Sequence, residues 1–325
     1  MNKLWREILG AAFLGLVVPW MLLNALIRPQ TPAPETSIPT DTQQNTAAFF
    51  MPVLMPDGQI QKIELDEYLT CVVLGEIPVD FEPEAQKAQA VVARTYALRS
   101  VDSGSKHPGG AVCTEPSCCQ GYCSKEDYLS NGGTEEGYQK IHSAVTATTG
   151  EVLTYEGKLI EATYFSSSGG RTEDALAVWG SDVPYLQATD SPESAYHDKT
   201  VATVTFTAKD FSTALGQSLP GSPATWFGAV TYTEGGGVDT MVIGGTAYKG
   251  TTLRQKLGLR STAFTMTAVG DHITITTRGY GHRVGMSQYG AEAMAVDGST
   301  YEQILAHYYK GTTLLNWIDN MENLG

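Results

Sequence analysis

Residues 47–325 of this chain predict an α+β fold, a single large domain or two tightly packed lobes with antiparallel hairpins and helices, preceded by one transmembrane helix. Three observations carry that prediction. Helical spacing and hairpin signals interleave without a repeating strand–helix–strand rhythm. No second linker like the one before residue 47 divides the remainder. A content of 42% hydrophobic against 17% charged residues supplies a substantial core and excludes wholesale disorder.

Residues 1–28 form the anchor. Within them residues 8–27 are a mostly apolar stretch of about 20, long enough to cross roughly 30 Å of hydrocarbon as a helix. Lys3 and Arg6 before it and Arg28 after it favour a cytoplasmic N-terminus. An uncleaved signal anchor competes here with a cleaved signal peptide and with a buried helix. The length of the stretch and the lack of a small-x-small site near Asn24 and Ala25 favour the anchor. The domain that follows is then expected outside the cytoplasm. Residues 29–46, PQTPAPETSIPTDTQQNT, carry four prolines and little to bury, and predict an extended tether.

In the folded part, residues 59–64 alternate as a strand, and Asp66 can cap a helix with Leu69, Val72 and Val73 on one side until Pro78 stops it. Pro83 suits a first helical turn, and Ala85, Ala88, Val91, Val92 and Tyr96 follow at helical spacing to about Ser100. Residues 134–148 predict another helix closed by Gly150. Residues 151–155 and 159–165 flank a Glu156-Gly157 turn as a hairpin. Further strands are expected at 200–207, 230–233, 262–268 and 272–277, the last two joined by Gly270-Asp271. Thr300 with Gln303 forms a capping box for a final helix.

Composition narrows the chemistry. The 21 basic and 35 acidic residues leave a net charge of −14, which repels phosphate backbones, so no nucleic-acid partner is expected. Neither sustained heptads nor repeats of roughly 20–50 residues occur. Walker A, H-E-x-x-H and G-x-S-x-G motifs are likewise absent from the sequence.

Cys113, Cys118, Cys119 and Cys123 cluster behind His107, while Cys71 stands apart as a buried thiol. Neighbouring cysteines outside the cytoplasm ordinarily form disulfides. An odd total and the adjacent Cys118 and Cys119 equally suit a tetrahedral zinc set on the turn-rich HPGGAVCTEPSCCQGYC, and four protein ligands would make that site structural. Glu76 ends an apolar helix beside Ile77 and Pro78, where burial favours the protonated form of a general acid; a solvated helix-end carboxylate is the alternative. Glu82 and Glu84 suit the first turn of the next helix. Arg94, among small apolar residues of that helix, can pair with a carboxylate near the site or extend to the surface. FSSSGGRTE, residues 165–173, can present serine hydroxyls after a strand. RGYGHRVGMSQYGA, residues 278–291, mixes glycines with His282, Ser287, Gln288 and Tyr289 without dinucleotide-binding spacing.

In chain order, LDEYLTCVVLGEIPVDFEPEAQKAQAVVARTYALRS, SSSGGRTEDALAVWGSDVPYL, LRQKLGLRSTAFT and GYGHRVGMSQYGAEAMAVDGSTYEQILAHYYKGTTL resemble the stage II sporulation protein D family and its amidase-enhancer relatives, over most of residues 60–315. The resemblance implies a lytic transglycosylase that cuts peptidoglycan strands denuded of stem peptides, with Glu76 as the catalytic residue. It implies one structural zinc per chain on His107, Cys113, Cys118 and Cys119, although the family pattern has histidine at the Cys118 position. Tyr280 stands where the pattern has tryptophan and Arg283 where it has glycine, both in the presumed groove. Ser166, Ser167, His282 and Gln288 are the expected saccharide contacts. Such an enzyme needs one acid rather than the usual pair, since the sugar's own C6 hydroxyl replaces water. The resemblance further implies a role in engulfment, between mother-cell and forespore membranes, alongside the sporulation amidase-endopeptidase, stage II protein P, and membrane protein M. The enhancer relatives imply the alternative, a non-catalytic glycan-binding activator of a cell-wall amidase.

Overall fold

Residues 49–320 are described by a computed structural model. The anchor and tether expected in residues 1–46 lie outside them, and among the described residues no helix is long and apolar enough to cross a membrane. The architecture is a mixed α+β one with several small sheets. Its first sheet pairs Phe50–Leu54 antiparallel with Ile60–Glu64 and parallel with Val112–Cys113. Pro52 hides the first of these strands in the sequence, because proline removes a ladder donor and is confined to particular strand positions.

Helix α1, Leu65–Glu76, begins earlier than Asp66 suggests. Glu64 is the N-cap, and its carboxylate accepts the Glu67 amide at 2.9 Å. Asp66 instead meets Arg94, at 3.2 Å. The helix ends at Glu76, where Ile77 turns extended ahead of Pro78. Helix α2, Pro83–Asp102, buries 12 of its 20 residues, so it is a core helix rather than a one-faced surface helix. Its alanines let the neighbouring elements approach closely: α1, helix α3 (Glu135–Ala147), strand Glu151–Tyr155, and helices α4 (Gln288–Val296) and α5 (Tyr301–Tyr308) all pack on it.

Two of the polar side chains that α2 buries, Thr95 and Arg94, tie it to other elements. Thr95 Oγ1 donates to the Val91 carbonyl at 2.7 Å and accepts the Leu153 amide at 3.0 Å. Arg94, fully buried, donates to Asp66, to the Val145 carbonyl at 3.1 Å and to the Glu151 carbonyl at 3.3 Å. Burial pulls its guanidinium below the ordinary value and Asp66 pulls it back. The carboxylate that Arg94 pairs with is therefore at the start of α1, about 15 Å of helix away from Glu76. It secures the core and takes no part in the site.

The Glu156-Gly157 turn forms as expected, with φ values of 50° and 77°. Its second strand is shorter than the alternation implies. Only Lys158–Leu159 pairs with Glu151–Tyr155, because Ile160 and Ala162 are drawn into the core; Tyr164–Phe165 then pairs in parallel with Met286–Ser287.

A second, separate core lies between residues 206 and 275, around Phe211, Trp226, Met241, Leu253, Ile273 and Ile275. The sheet of Val201–Thr207, Phe264–Val269 and His272–Arg278 covers it on one side. The hairpins of Phe227–Tyr232, Val238–Ile243 and Thr246–Lys249 form another sheet. Helices Ala208–Leu215 and Gly250–Lys256 supply Phe211, Leu215 and Leu253 to it. The two cores belong to one compact unit, Ala47–Gly325.

Candidate functional site

The C-terminal end of α1 brings Glu76 against the loop that follows the cysteine cluster, and two glycines make that approach possible. A Cβ on Gly75 would stand 2.9 Å from the Tyr122 amide nitrogen, and one on Gly121 would stand 3.0 Å from Glu76 Oε1. With glycine there, the Gly121 N–H donates to Oε1 at 2.6 Å. Gln288, the first residue of α4, reaches Oε2 with its amide Nε2 at 3.4 Å from 212 positions along the chain. Tyr164 completes the surroundings. Its hydroxyl accepts from Gln120 Nε2 at 3.0 Å. Burial, then the charge of Glu76, raises this phenol well above its ordinary value, so it keeps its proton and remains a donor. The result is a partly buried carboxyl held by donors from separate segments.

A buried carboxylate invisible to sequence reasoning organises the two glycine-rich stretches. Glu193 Oε1 accepts from Ser168 Oγ at 2.7 Å and from the amides of Gly169 and Gly170, while its Oε2 accepts from Ser287 Oγ at 2.5 Å. Ser287 is the N-cap of α4, and its Oγ accepts the Gly290 amide at 3.1 Å. Glu193 thus fixes the start of the helix that presents Gln288 to Glu76. Glu193 lies in the polar SPESAYHD segment, which reads as a surface loop.

The structure separates the four expected saccharide contacts. Gln288 lies at Glu76, and Ser166 is partly exposed on the strand end whose carbonyl accepts the Tyr289 amide at 3.0 Å. Ser167 is fully buried: its backbone bridges to Tyr280 in both directions, and its hydroxyl finds no hydrogen-bond partner among the described residues. His282 is occupied by the fold. Its Nδ1 accepts the Val284 amide at 3.1 Å, and the ring also hydrogen-bonds the Tyr164 backbone. Burial, with the Arg254 charge, pushes it down to about 4, so it is a neutral ring at physiological pH. It packs between Phe165 and Trp179, whose indole is itself 43% exposed.

Of the two departures expected in the groove, Tyr280 is exposed with the Arg260 guanidinium over its ring. Arg283, expected in the groove, is only 2% exposed and pairs with buried Glu173 at 3.0 Å. It is also left-handed, with φ of 68°, a conformation that glycine adopts without cost.

His107, Cys113, Cys118 and Cys119 converge, with their ligand atoms all within 4.8 Å of one another. His107 Nε2 lies 3.4 Å from Cys118 Sγ and 3.5 Å from Cys119 Sγ. A tetrahedral zinc with ordinary Zn–N and Zn–S bonds separates such atoms by about 3.6 Å, so the donor set and its spacing fit the ion. Burial, with Cys113 and Cys118 close by, pushes the Cys119 thiol up to about 12, so a cation must displace protons to bind there. All five cysteines are free thiols, and Cys123 stands outside the cluster with its Sγ 3.7 Å from the Ser124 carbonyl. The segment between Cys119 and Cys123 is the one that carries Gly121, so a metal at the cluster would brace the donor that holds Glu76.

A family model described as Stage II sporulation protein matches residues 57–155. Stage II sporulation protein D of Bacillus subtilis (strain 168) is 45% identical over 260 residues, covering 78% of this chain and 75% of that protein. Stage II sporulation protein D of Bacillus amyloliquefaciens is 43% identical over 260 residues with the same shares covered. A protein of Bacillus subtilis (strain 168) named amidase enhancer is 30% identical over 308 residues, covering 76% of this chain but 40% of its own length.

Proposed function

The chain belongs to the stage II sporulation protein D family, and from that premise we propose that it is a membrane-anchored lytic transglycosylase of denuded peptidoglycan strands. One observation supports this reading above the others: Glu76 is gripped by the Gly121 amide and faced by the Gln288 amide in a site assembled from three distant segments. Glu76 gives its proton to the oxygen linking N-acetylmuramic acid to N-acetylglucosamine. The Gly121 N–H is aimed at the negative charge that then develops on the carboxyl. The carboxylate next takes the proton of the muramic C6 hydroxyl, whose oxygen attacks C1 and closes the 1,6-anhydro ring. No water enters, so a second catalytic carboxylate is unnecessary. Ser166 and Gln288 are the saccharide contacts consistent with their placement. Mass spectrometry of products from stripped murein strands tests the reading. Anhydro-muramic ends are expected, and reducing ends alone would sink it.

In this reading His107, Cys113, Cys118 and Cys119 hold one zinc ion, which with four protein ligands supplies structure and leaves no open position for water. Protein purified under reducing conditions should carry about one zinc per chain. Cys119→Ala should lose it and Cys123→Ala should keep it. Disulfides among Cys113, Cys118 and Cys119 with no metal would reject the assignment. The domain works outside the cytoplasm, in engulfment, with stage II protein P and membrane protein M as partners.

A second reading rests on the relative named amidase enhancer: a glycan-binding module that activates a cell-wall amidase without cutting strands itself. A Glu76→Gln protein that still stimulates such an amidase, where the unaltered chain releases no anhydro ends, would favour it.

A further inference from the structure

The metal cluster uses three of the five cysteines, and the two left over, Cys71 and Cys123, are neighbours in space. The Cys123 N–H donates to the Cys71 carbonyl at 2.9 Å. Standard covalent geometry on either side of that bond keeps the two Cα atoms within about 7 Å, the span a disulfide can bridge. The loop also straddles the Cys71 sulfur, since the Tyr122 side chain and the Lys125 backbone both hydrogen-bond it. Burial, with the nearby Glu67 charge, pushes the Cys71 thiol up to about 11. Cys71 is 4% exposed on α1, whereas Cys123 is partly exposed.

We propose that Cys71 and Cys123 form a disulfide that staples the 119–123 loop to α1, two residues beyond the Gly121 amide that holds Glu76. This goes beyond the glycan-cleaving reading. It gives the loop a covalent tie at one end and the metal cluster at the other, so the Gly121 donor is held from both sides. The oxidant is a small-molecule disulfide such as oxidised glutathione. The more accessible Cys123 thiolate attacks one of its sulfurs, forming a mixed disulfide and expelling one glutathione thiolate. The Cys71 thiolate then attacks the Cys123 sulfur and expels the second. The two protein thiols give up two protons and two electrons, and one glutathione disulfide becomes two glutathione thiols.

The test uses the full chain, reduced, then incubated with oxidised glutathione at mildly alkaline pH, denatured, alkylated and mapped by mass spectrometry. A linked peptide pair containing Cys71 and Cys123, lost on reduction, is expected, and the oxidised protein should unfold several degrees above the reduced one. In Cys123→Ala the linked pair and the oxidant-dependent shift should both vanish. Recovery of Cys71 and Cys123 as alkylated free thiols, or of Cys123 joined to a cluster cysteine, overturns the proposal. These readouts are independent of glycan cleavage, so they separate failure of the staple from failure of the enzymatic reading.

Discussion

Replacing Glu76 with Gln should lower release of anhydro-muropeptides by about 10² to 10⁴, the usual contribution of a positioned general acid–base. The amide is almost the same size as the carboxyl and its oxygen can still accept the Gly121 N–H, so the loop keeps its anchor. What disappears is a transferable proton, needed once for the leaving oxygen and again, in reverse, for the C6 hydroxyl. The loss should therefore fall on kcat, with strand binding retained. Stability should move by no more than about 1 kcal/mol, because the side chain is partly exposed and the Gly121 N–H keeps an oxygen to donate to. Product analysis of stripped strands, paired with thermal unfolding of the same preparation, checks both halves. Turnover equal to that of the unaltered chain would remove Glu76 from the chemistry. Lost turnover accompanied by a large fall in the unfolding midpoint would mean that the variant reports on folding instead.

The parts of this site that were legible in the sequence are those encoded by near neighbours. Pro78 and Pro83 bracket the break between α1 and α2, so the position of Glu76 at a helix end follows from local backbone rules. The capping box of Thr300 and Gln303 likewise locates α5. The His107–Cys119 segment is short enough for its ligands to meet without help from other elements. Illegible were contacts closed over long separations. Gln288 was readable as a polar residue in a glycine-rich stretch, but α4 itself was not, although Ser287 followed by alanines was the available signal. Tyr164, Gly121 and Glu193 acquire their roles only when distant segments pack together. Ser167 and His282 illustrate the converse. A hydroxyl and an imidazole near a glycine-rich loop suit ligand contact, yet backbone pairing with Tyr280 buries one and the Val284 amide engages the other.

Arg283 shows the same effect at its largest, and its replacement by Met should cost about 3–5 kcal/mol of stability, the toll of breaking a buried ion pair from one side. The guanidinium donates to Glu173 Oε1 at 3.0 Å and to the carbonyls of Ser168, Arg171 and Gly235 at 2.7–2.8 Å. Glu173 Oε1 also accepts from Thr233 Oγ1 at 2.9 Å and from the Gly237 amide at 3.1 Å. One side chain therefore ties the 168–173 stretch beside the site to the 233–237 turn of the other core. Methionine fills much of the volume but leaves the Glu173 carboxylate, 1% exposed, without its counter-ion, and strips three carbonyls of a donor. For a domain of this size about 4 kcal/mol corresponds to a fall of roughly 8–16 °C in Tm. Companion variants isolate the cause. Arg283→Gly loses the same contacts but relaxes the left-handed backbone, so it should be less destabilised than Arg283→Ala by about 1 kcal/mol. Adding Glu173→Gln to Arg283→Met removes the stranded charge and should recover part of the loss, a coupling that urea or thermal unfolding of the four-member cycle measures directly. A deficit below about 1 kcal/mol for Arg283→Met, or strict additivity in the cycle, would mean that the pair does not hold the two segments together, since a buried carboxylate deprived of its cation cannot be energetically neutral.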